Sequence, residues 1–127
     1  MTKKIEAIIR EEKFHAVKKA LSDIGIVGIT VFDVVGRGRG SGIELQWRTG
    51  KYTVDLLPRK QINIVLSDEN VDATIEAIKK AAYTGDKGDG VIFVYPVERV
   101  IRISTGEEGK EALSYQGDID ARKKAVK

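Results

Sequence analysis

Gln61-Ile62-Asn63-Ile64-Val65-Leu66, then Ser67-Asp68, then Val71, Ile75, Ile78 and Ala82, then Gly85 and Val91-Ile92-Phe93-Val94, is the stretch that decides the fold. Residues 61–66 are rich in β-branched side chains and read as a strand. Ser67 or Asp68 stands where a helix wants an N-cap. Spacings of four, three and four place Val71, Ile75, Ile78 and Ala82 on one helical face. Gly85 ends that helix, and Val91 to Val94 begins another strand. Pro96 interrupts this strand, which marks an edge or a bulge, and Val97 to Ile103 continues it.

The same order stands upstream. Ile5-Glu6-Ala7-Ile8-Ile9 reads as a short, mostly buried strand. Phe14, Val17, Leu21 and Ile24 follow at spacings of three, four and three, on one face of a helix. Gly25 takes its C′ position, where positive φ is needed. Ile29 to Val35 is the next strand. Two such halves in series predict an α+β, ferredoxin-like double βαβ domain (βαββαβ): a four-stranded antiparallel sheet with both helices on one face. Ile, Val and Phe occupy both faces of these strands, so the second face needs a cover. Subunit association is the simplest source of one.

Two segments fall outside this core. Residues 36–58 hold Gly36-Arg37-Gly38-Arg39-Gly40-Ser41-Gly42 and then a polar stretch around Trp47. Loops longer than about 12–15 residues are rare in compact domains unless functional or disordered. The chain after Gly106 is charged and expected to be mobile or loosely helical. The organisation is therefore one domain over 1–113 with a charged C-terminal tail over 114–127.

Composition bounds the function. Of 127 residues, 42% are hydrophobic and 32% charged, a globular balance. The 22 Lys and Arg exceed the 19 Asp and Glu by too little to imply nucleic acid. Arg37, Arg39, Arg48, Lys51, Arg59 and Lys60 do cluster, which suits contacts to phosphate or an acidic surface, or equally a solvated loop. The lack of cysteine excludes disulfides and thiolate metal sites. His15 is the only histidine and reads as a surface helix residue, so no triad or metal cluster can be assembled. No apolar run approaches the roughly 18 residues of a membrane span, and Met1-Thr2-Lys3-Lys4 leads into a strand without a signal-peptide core. A cytoplasmic protein that does not itself enter a membrane is expected.

Neither glycine-rich segment matches a nucleotide fingerprint. Residues 36–42 lack the third glycine of G-x-G-x-x-G and the helix that should follow, and no Walker A sequence is present. Closely spaced glycines still let backbone N–H groups approach an anion, with arginines supplying charge. Gly85-Asp86-Lys87-Gly88-Asp89-Gly90 is a tight turn on its plainest reading. Arg99 and Arg102, on a strand expected to start there, would let it hold a polyphosphate. Trp47 and Tyr52 are candidate recognition or modification residues.

Several of these motifs lie in register with a known family. Thr84-Gly85-x-x-Gly88-Asp89-Gly90-x-Ile92-Phe93-Val94, Pro96-Val97-Glu98-x-Val100-x-Arg102-Ile103 and Thr105-Gly106-Glu107-Glu108-Gly109 resemble the C-terminal signature of the PII signal-transduction proteins. Lys4-Ile5-Glu6-Ala7-Ile8-Ile9-Arg10, Gly28-Ile29-Thr30-Val31 and Tyr52-x-Val54-Asp55-Leu56-Leu57-Pro58 agree with it. The resemblance spans roughly residues 3–113. It implies a non-catalytic homotrimer with ATP or ADP, or AMP, in clefts between neighbours, and a T-loop (about 37–55) that engages a regulated protein. That partner would be an ammonium or other membrane transporter, or an enzyme of nitrogen metabolism. By the match, Ile8, Ile29, Thr30 and Val65 would line the adenine and ribose pocket. Gly36, Gly38 and Arg39 would approach from the loop base, and Gly88, Asp89 and Gly90 would cradle phosphates paired to Arg102. Arg37, Arg39, Trp47, Arg48, Lys51 and Tyr52 would face the partner, and Tyr52 aligns with the tyrosine that some members have uridylylated.

The departures carry information. Gly40 replaces a glutamine that helps hold the Mg²⁺ through which 2-oxoglutarate is chelated. Arg59 replaces a lysine, Val91 a phosphate-binding lysine, and Ser104 an arginine. A charge-assisted hydrogen bond is worth about 1.5–3 kcal/mol, so losing two weakens triphosphate binding on the order of a hundredfold. Arg37, Arg39 and Lys87 are the candidates to compensate. Weakened or lost 2-oxoglutarate sensing, and a preference for ADP or AMP, follow as expectations. An RNA-binding module built on the Arg-Gly loop would want stacking aromatics on the central strands, and residues 5–9 and 61–66 hold none. A small hydrolase would lack a nucleophile and base.

Overall fold

A computed structural model describes residues 1–38, 43–47 and 50–125, with 43–47, 52–54 and 125 described by backbone alone. Strand β1 (Thr2–Arg10) leads through a 3₁₀ turn into helix α1 (Phe14–Asp23), then strand β2 (Thr30–Gly36). A separate pair, β3 (Ile43–Trp47) and β4 (Gly50–Val54), precedes strand β5 (Leu57–Ser67). Helix α2 (Val71–Ala82), strand β6 (Gly90–Val97) and a short helix α3 (Ile119–Ala125) complete the order. The main sheet runs β2-β5-β1-β6 with every pairing antiparallel. This is the ferredoxin-like arrangement predicted from the two βαβ halves.

Strand alternation decides which side is core. Ile5, Ala7 and Ile9 on β1 and Ile62, Ile64 and Leu66 on β5 are buried beneath Val17 and Leu21 of α1 and Ile78 and Ala82 of α2. Phe14, Ile24, Val71 and Ile75 pack around them, so both predicted helical faces are the ones used. The opposite side of the sheet carries Ile8, Phe32, Val91, Phe93 and Tyr95 beside Glu6, Gln61 and Asn63, as the register requires. Phe32 and Phe93 are 46% and 43% exposed, a cost that an isolated subunit has no means of removing.

Four expectations need correction. First, β6 stops at Val97 instead of running to Ile103, because its partner β1 begins at Thr2, opposite Val97. Residues 98–109 leave the sheet and fold back on themselves through the Ile101–Glu108 bridge and the Gly109 N–H to Val100 carbonyl bond. Pro96 is tolerated because β6 is an edge strand. Second, neither Ser67 nor Asp68 supplies a cap: a 3₁₀ turn over Asp68–Asn70 precedes α2, neither it nor α2 has a side-chain cap bond, and Asp68 faces Lys3 at 3.7 Å. Third, α2 ends at Ala82, three residues before Gly85. Fourth, the chain after Gly106 is docked as far as Lys123 rather than loose, with Ala112 and Asp118 buried and Lys123 donating to Asn70 at 2.5 Å. Gly25 explains part of that docking. Its φ of +88° closes α1, and a Cβ there would sit 2.6 Å from the Ile119 nitrogen. Its carbonyl accepts the Ile119 N–H at 2.9 Å.

Candidate functional site

The predicted ligand residues fall into two groups at opposite ends of the uncovered sheet face. At one end, Thr84–Gly90 joins α2 to β6. Asp89 organises this turn, accepting hydrogen bonds from the Thr84 and Gly85 backbone N–H groups at 2.8 and 2.9 Å and from the Thr84 hydroxyl. Arg10 Nε donates to the same carboxylate at 3.1 Å, and Arg10 Nη2 donates to the Lys87 carbonyl at 2.7 Å. The Thr84 hydroxyl first, then the backbone donors and Arg10, hold the Asp89 carboxyl well below the usual carboxylate range. Asp89 therefore shapes the turn from inside. Gly90 is required by contact as well as by its φ of +114°, since a Cβ would fall 1.9 Å from the Ile8 carbonyl oxygen.

Arg59 completes this end. A Cβ at Gly88 would lie 3.2 Å from Arg59 Nη2 and 3.4 Å from Arg10 Nη2, so two guanidinium groups flank one glycine. Arg10 and Arg59 are also direct cross-strand partners. Arg10 is balanced there by Asp89 at 3.1 Å and Glu12 at 3.8 Å. Among the described residues Arg59 donates only to the Pro58 carbonyl, at 3.3 Å, and is the guanidinium with charge left for an incoming anion. Sequence reasoning missed Arg10, and only the strand register exposes its role. Ile8 borders the same end, opposite Val91 and Gln61. Gly36 and Gly38 lie at the base of the arm with open space around both. Arg37 there donates to Asp55 at 2.9 Å, joining the two arms of the excursion.

Within the excursion, β3 and β4 pair as a two-stranded antiparallel ribbon. Trp47 pairs with Gly50 and Tyr52 with Leu45, and Lys51, exposed, lies opposite Gln46. Arg39, Gly40 and Arg48 lie outside the described residues, as do the side chains of Trp47 and Tyr52.

The second group sits near the other end. Thr30 pairs with Asn63, and Val65 with Lys4, on the uncovered face. Ile29, half-buried, packs against the core. Val65 and Gly28 line a cleft of about 40 Å³ together with Leu113 and Tyr115, far below the roughly 300 Å³ at which small-molecule pockets begin. Arg102 lies here, donating from Nε to the Ala112 carbonyl at 3.1 Å. The expectation that Arg99 and Arg102 continue the strand from the glycine turn is overturned. The length of β6 separates Arg102 from Gly88-Asp89-Gly90 by on the order of 20 Å, and Arg99 pairs instead with Glu108 at 2.5 Å.

This geometry can be set beside known proteins. Residues 2–107 match the family model for nitrogen regulatory protein P-II. The chain belongs to the PII family. A nitrogen regulatory protein P-II from Pasteurella multocida is 54% identical over 111 residues, which is 87% of this chain and 99% of the relative. Nitrogen regulatory protein P-II 2 from Methanothermobacter thermautotrophicus is 52% identical, covering 96% of that protein, and the Rhizobium meliloti protein is 52% identical, covering 99%. The PII assignment gives the chain a regulatory, signalling role exercised on other proteins. None of its described helices is long and apolar enough to cross a membrane.

Proposed function

We propose that this PII protein is a non-catalytic homotrimer that binds adenine nucleotide in clefts between neighbouring subunits and acts on a target protein through residues 37–55. One observation carries the reading. Within a single chain the Gly88–Gly90 turn and Arg102 stand at opposite ends of the sheet face, so they can meet one ligand only across a subunit boundary. The exposed Phe32 and Phe93, and the fully exposed Ile103, supply apolar surface for that boundary. Arg59 beside Gly88, with Arg10 held on Asp89 behind it, offers positive charge at the turn where Val91 offers none. Gly40, with no side chain to hold a metal ion, supports weakened or lost 2-oxoglutarate sensing and leaves the need for Mg²⁺ with ATP to be settled by titration.

Calorimetric titration with ATP, ADP and AMP, with and without Mg²⁺ and 2-oxoglutarate, tests the proposal. Binding of one nucleotide per subunit, little changed by 2-oxoglutarate, is expected. Absence of any adenine nucleotide binding refutes the nucleotide reading. Tight ATP-dependent binding of 2-oxoglutarate refutes the second part and favours a full nitrogen-status sensor. The relatives about 50% identical are named nitrogen regulatory proteins, which favours a nitrogen-linked role; in that second reading an ammonium transporter or a nitrogen-metabolism enzyme would be the target.

A further inference from the structure

The chain runs past what it shares with its family: the family model ends at residue 107, and the relatives are matched over 111 residues. The added segment is firmly tied down. Asp118, 8% exposed, accepts the backbone N–H groups of Tyr115 and Ala121, both at 2.8 Å, closing the turn that starts α3. Besides the Ile119 bond to Gly25, Arg122 Nη1 donates to the Asp23 carbonyl at 2.8 Å and Asn70 Nδ2 donates to Asp120 at 3.1 Å. The segment is thus fixed to the end of α1 and the start of α2.

What this docking places is the ring of Tyr115. A Cβ at Gly28 would lie 2.7 Å from the Tyr115 hydroxyl oxygen, so only a glycine leaves room for the ring. The Arg102 guanidinium carbon stands 5.2 Å from the ring centroid, within cation–π range. Arg102 is therefore held at two points, the Ala112 carbonyl at Nε and the Tyr115 ring. Its terminal nitrogens have no protein partner among the described residues. A flexible cation held in this way loses less freedom when an anion arrives.

We propose that Tyr115 is a positioning residue for Arg102, fixing the guanidinium so that its terminal nitrogens are presented together to the phosphate of a ligand. The proposal rests on the nucleotide reading above and adds to it a residue from outside the shared family region.

The test uses the full-length chain as wild type, Tyr115→Leu and Tyr115→Phe. The Arg102 Nε–H resonance is followed by NMR in the ligand-free protein, and ADP and adenosine are titrated by calorimetry. A sharp, slowly exchanging Nε–H signal is expected in wild type and Tyr115→Phe and its loss in Tyr115→Leu. ADP affinity should fall about two- to fivefold in Tyr115→Leu, with adenosine unchanged and Tyr115→Phe behaving as wild type. An Arg102 signal identical in Tyr115→Leu and wild type overturns the proposal. So does equal weakening of ADP and adenosine, which would make Tyr115 only a support for the Gly28 backbone. Wild-type protein that binds no ADP refutes the nucleotide reading instead, and the Arg102 signal alone then decides whether Tyr115 positions it.

Discussion

Gly25→Ala strikes the point where the added C-terminal segment meets the body of the domain. Two separable costs are expected. Alanine at φ +88° costs about 1–2 kcal/mol as left-handed backbone. Its Cβ, 2.6 Å from the Ile119 nitrogen, also forces α3 away and breaks the 2.9 Å bond to the Gly25 carbonyl, worth about 0.5–1.5 kcal/mol. The substitution should therefore cost about 1.5–3.5 kcal/mol in the full chain. In a chain ending at residue 113, which keeps the length shared with the relatives, only the backbone cost of about 1–2 kcal/mol remains. Urea unfolding of the four proteins at one fixed concentration gives the coupling directly. Hydrogen exchange at the Ile119 amide should rise in Gly25→Ala. An equal cost in both chain lengths, with Ile119 still protected, would mean that Gly25 does not hold α3 in place.

Other consequences can be measured as readily. Asp89 has its pKa lowered on folding, so its contribution is fully present above the unfolded value near 4 and is lost as pH falls toward the folded value. Urea midpoints of Asp89→Asn should consequently be lower near neutrality and less sensitive to pH below about 4 than those of wild type. Replacing Arg102 by Gln should weaken ADP binding by roughly 10- to 150-fold, the worth of one charge-assisted hydrogen bond, with adenosine little affected in the same titration. Phe93→Asp, on the uncovered sheet face, should lower the mass seen by light scattering toward that of one subunit. Deleting residues 37–55 should abolish capture of a target in pull-downs without changing far-UV circular dichroism of the main sheet.

The core was legible because it rests on local periodicity. Val17 and Leu21, or Ile78 and Ala82, announce their buried face by spacing alone, and residues 5–9 and 61–66 announce their strands by β-branched content. The ribbon carried a signal of the same kind, the alternation Ile43-Glu44-Leu45-Gln46-Trp47, but the neighbouring glycines masked it. What could not be read depends on contacts between distant residues. The end of β6 is set by where β1 starts, and the docking of α3 by the approach of Ile119 to Gly25. The candidate site shows both cases: Gly88-Asp89-Gly90 is visible as a motif, whereas Arg10 gains its place only through strand register and Tyr115 only through the turn at Asp118.

The separation of the glycine turn from Arg102 has a consequence for mixtures. In a ring of three subunits each cleft would draw its turn from one chain and its arginine from the next. Take one variant disabled at the turn and another disabled at Arg102, each unable to bind alone. Any ring containing both has a single junction where an intact turn meets an intact arginine. Co-refolding the two inactive proteins should therefore regenerate binding at one cleft per mixed ring, and a site contained within one chain could not be rescued in this way.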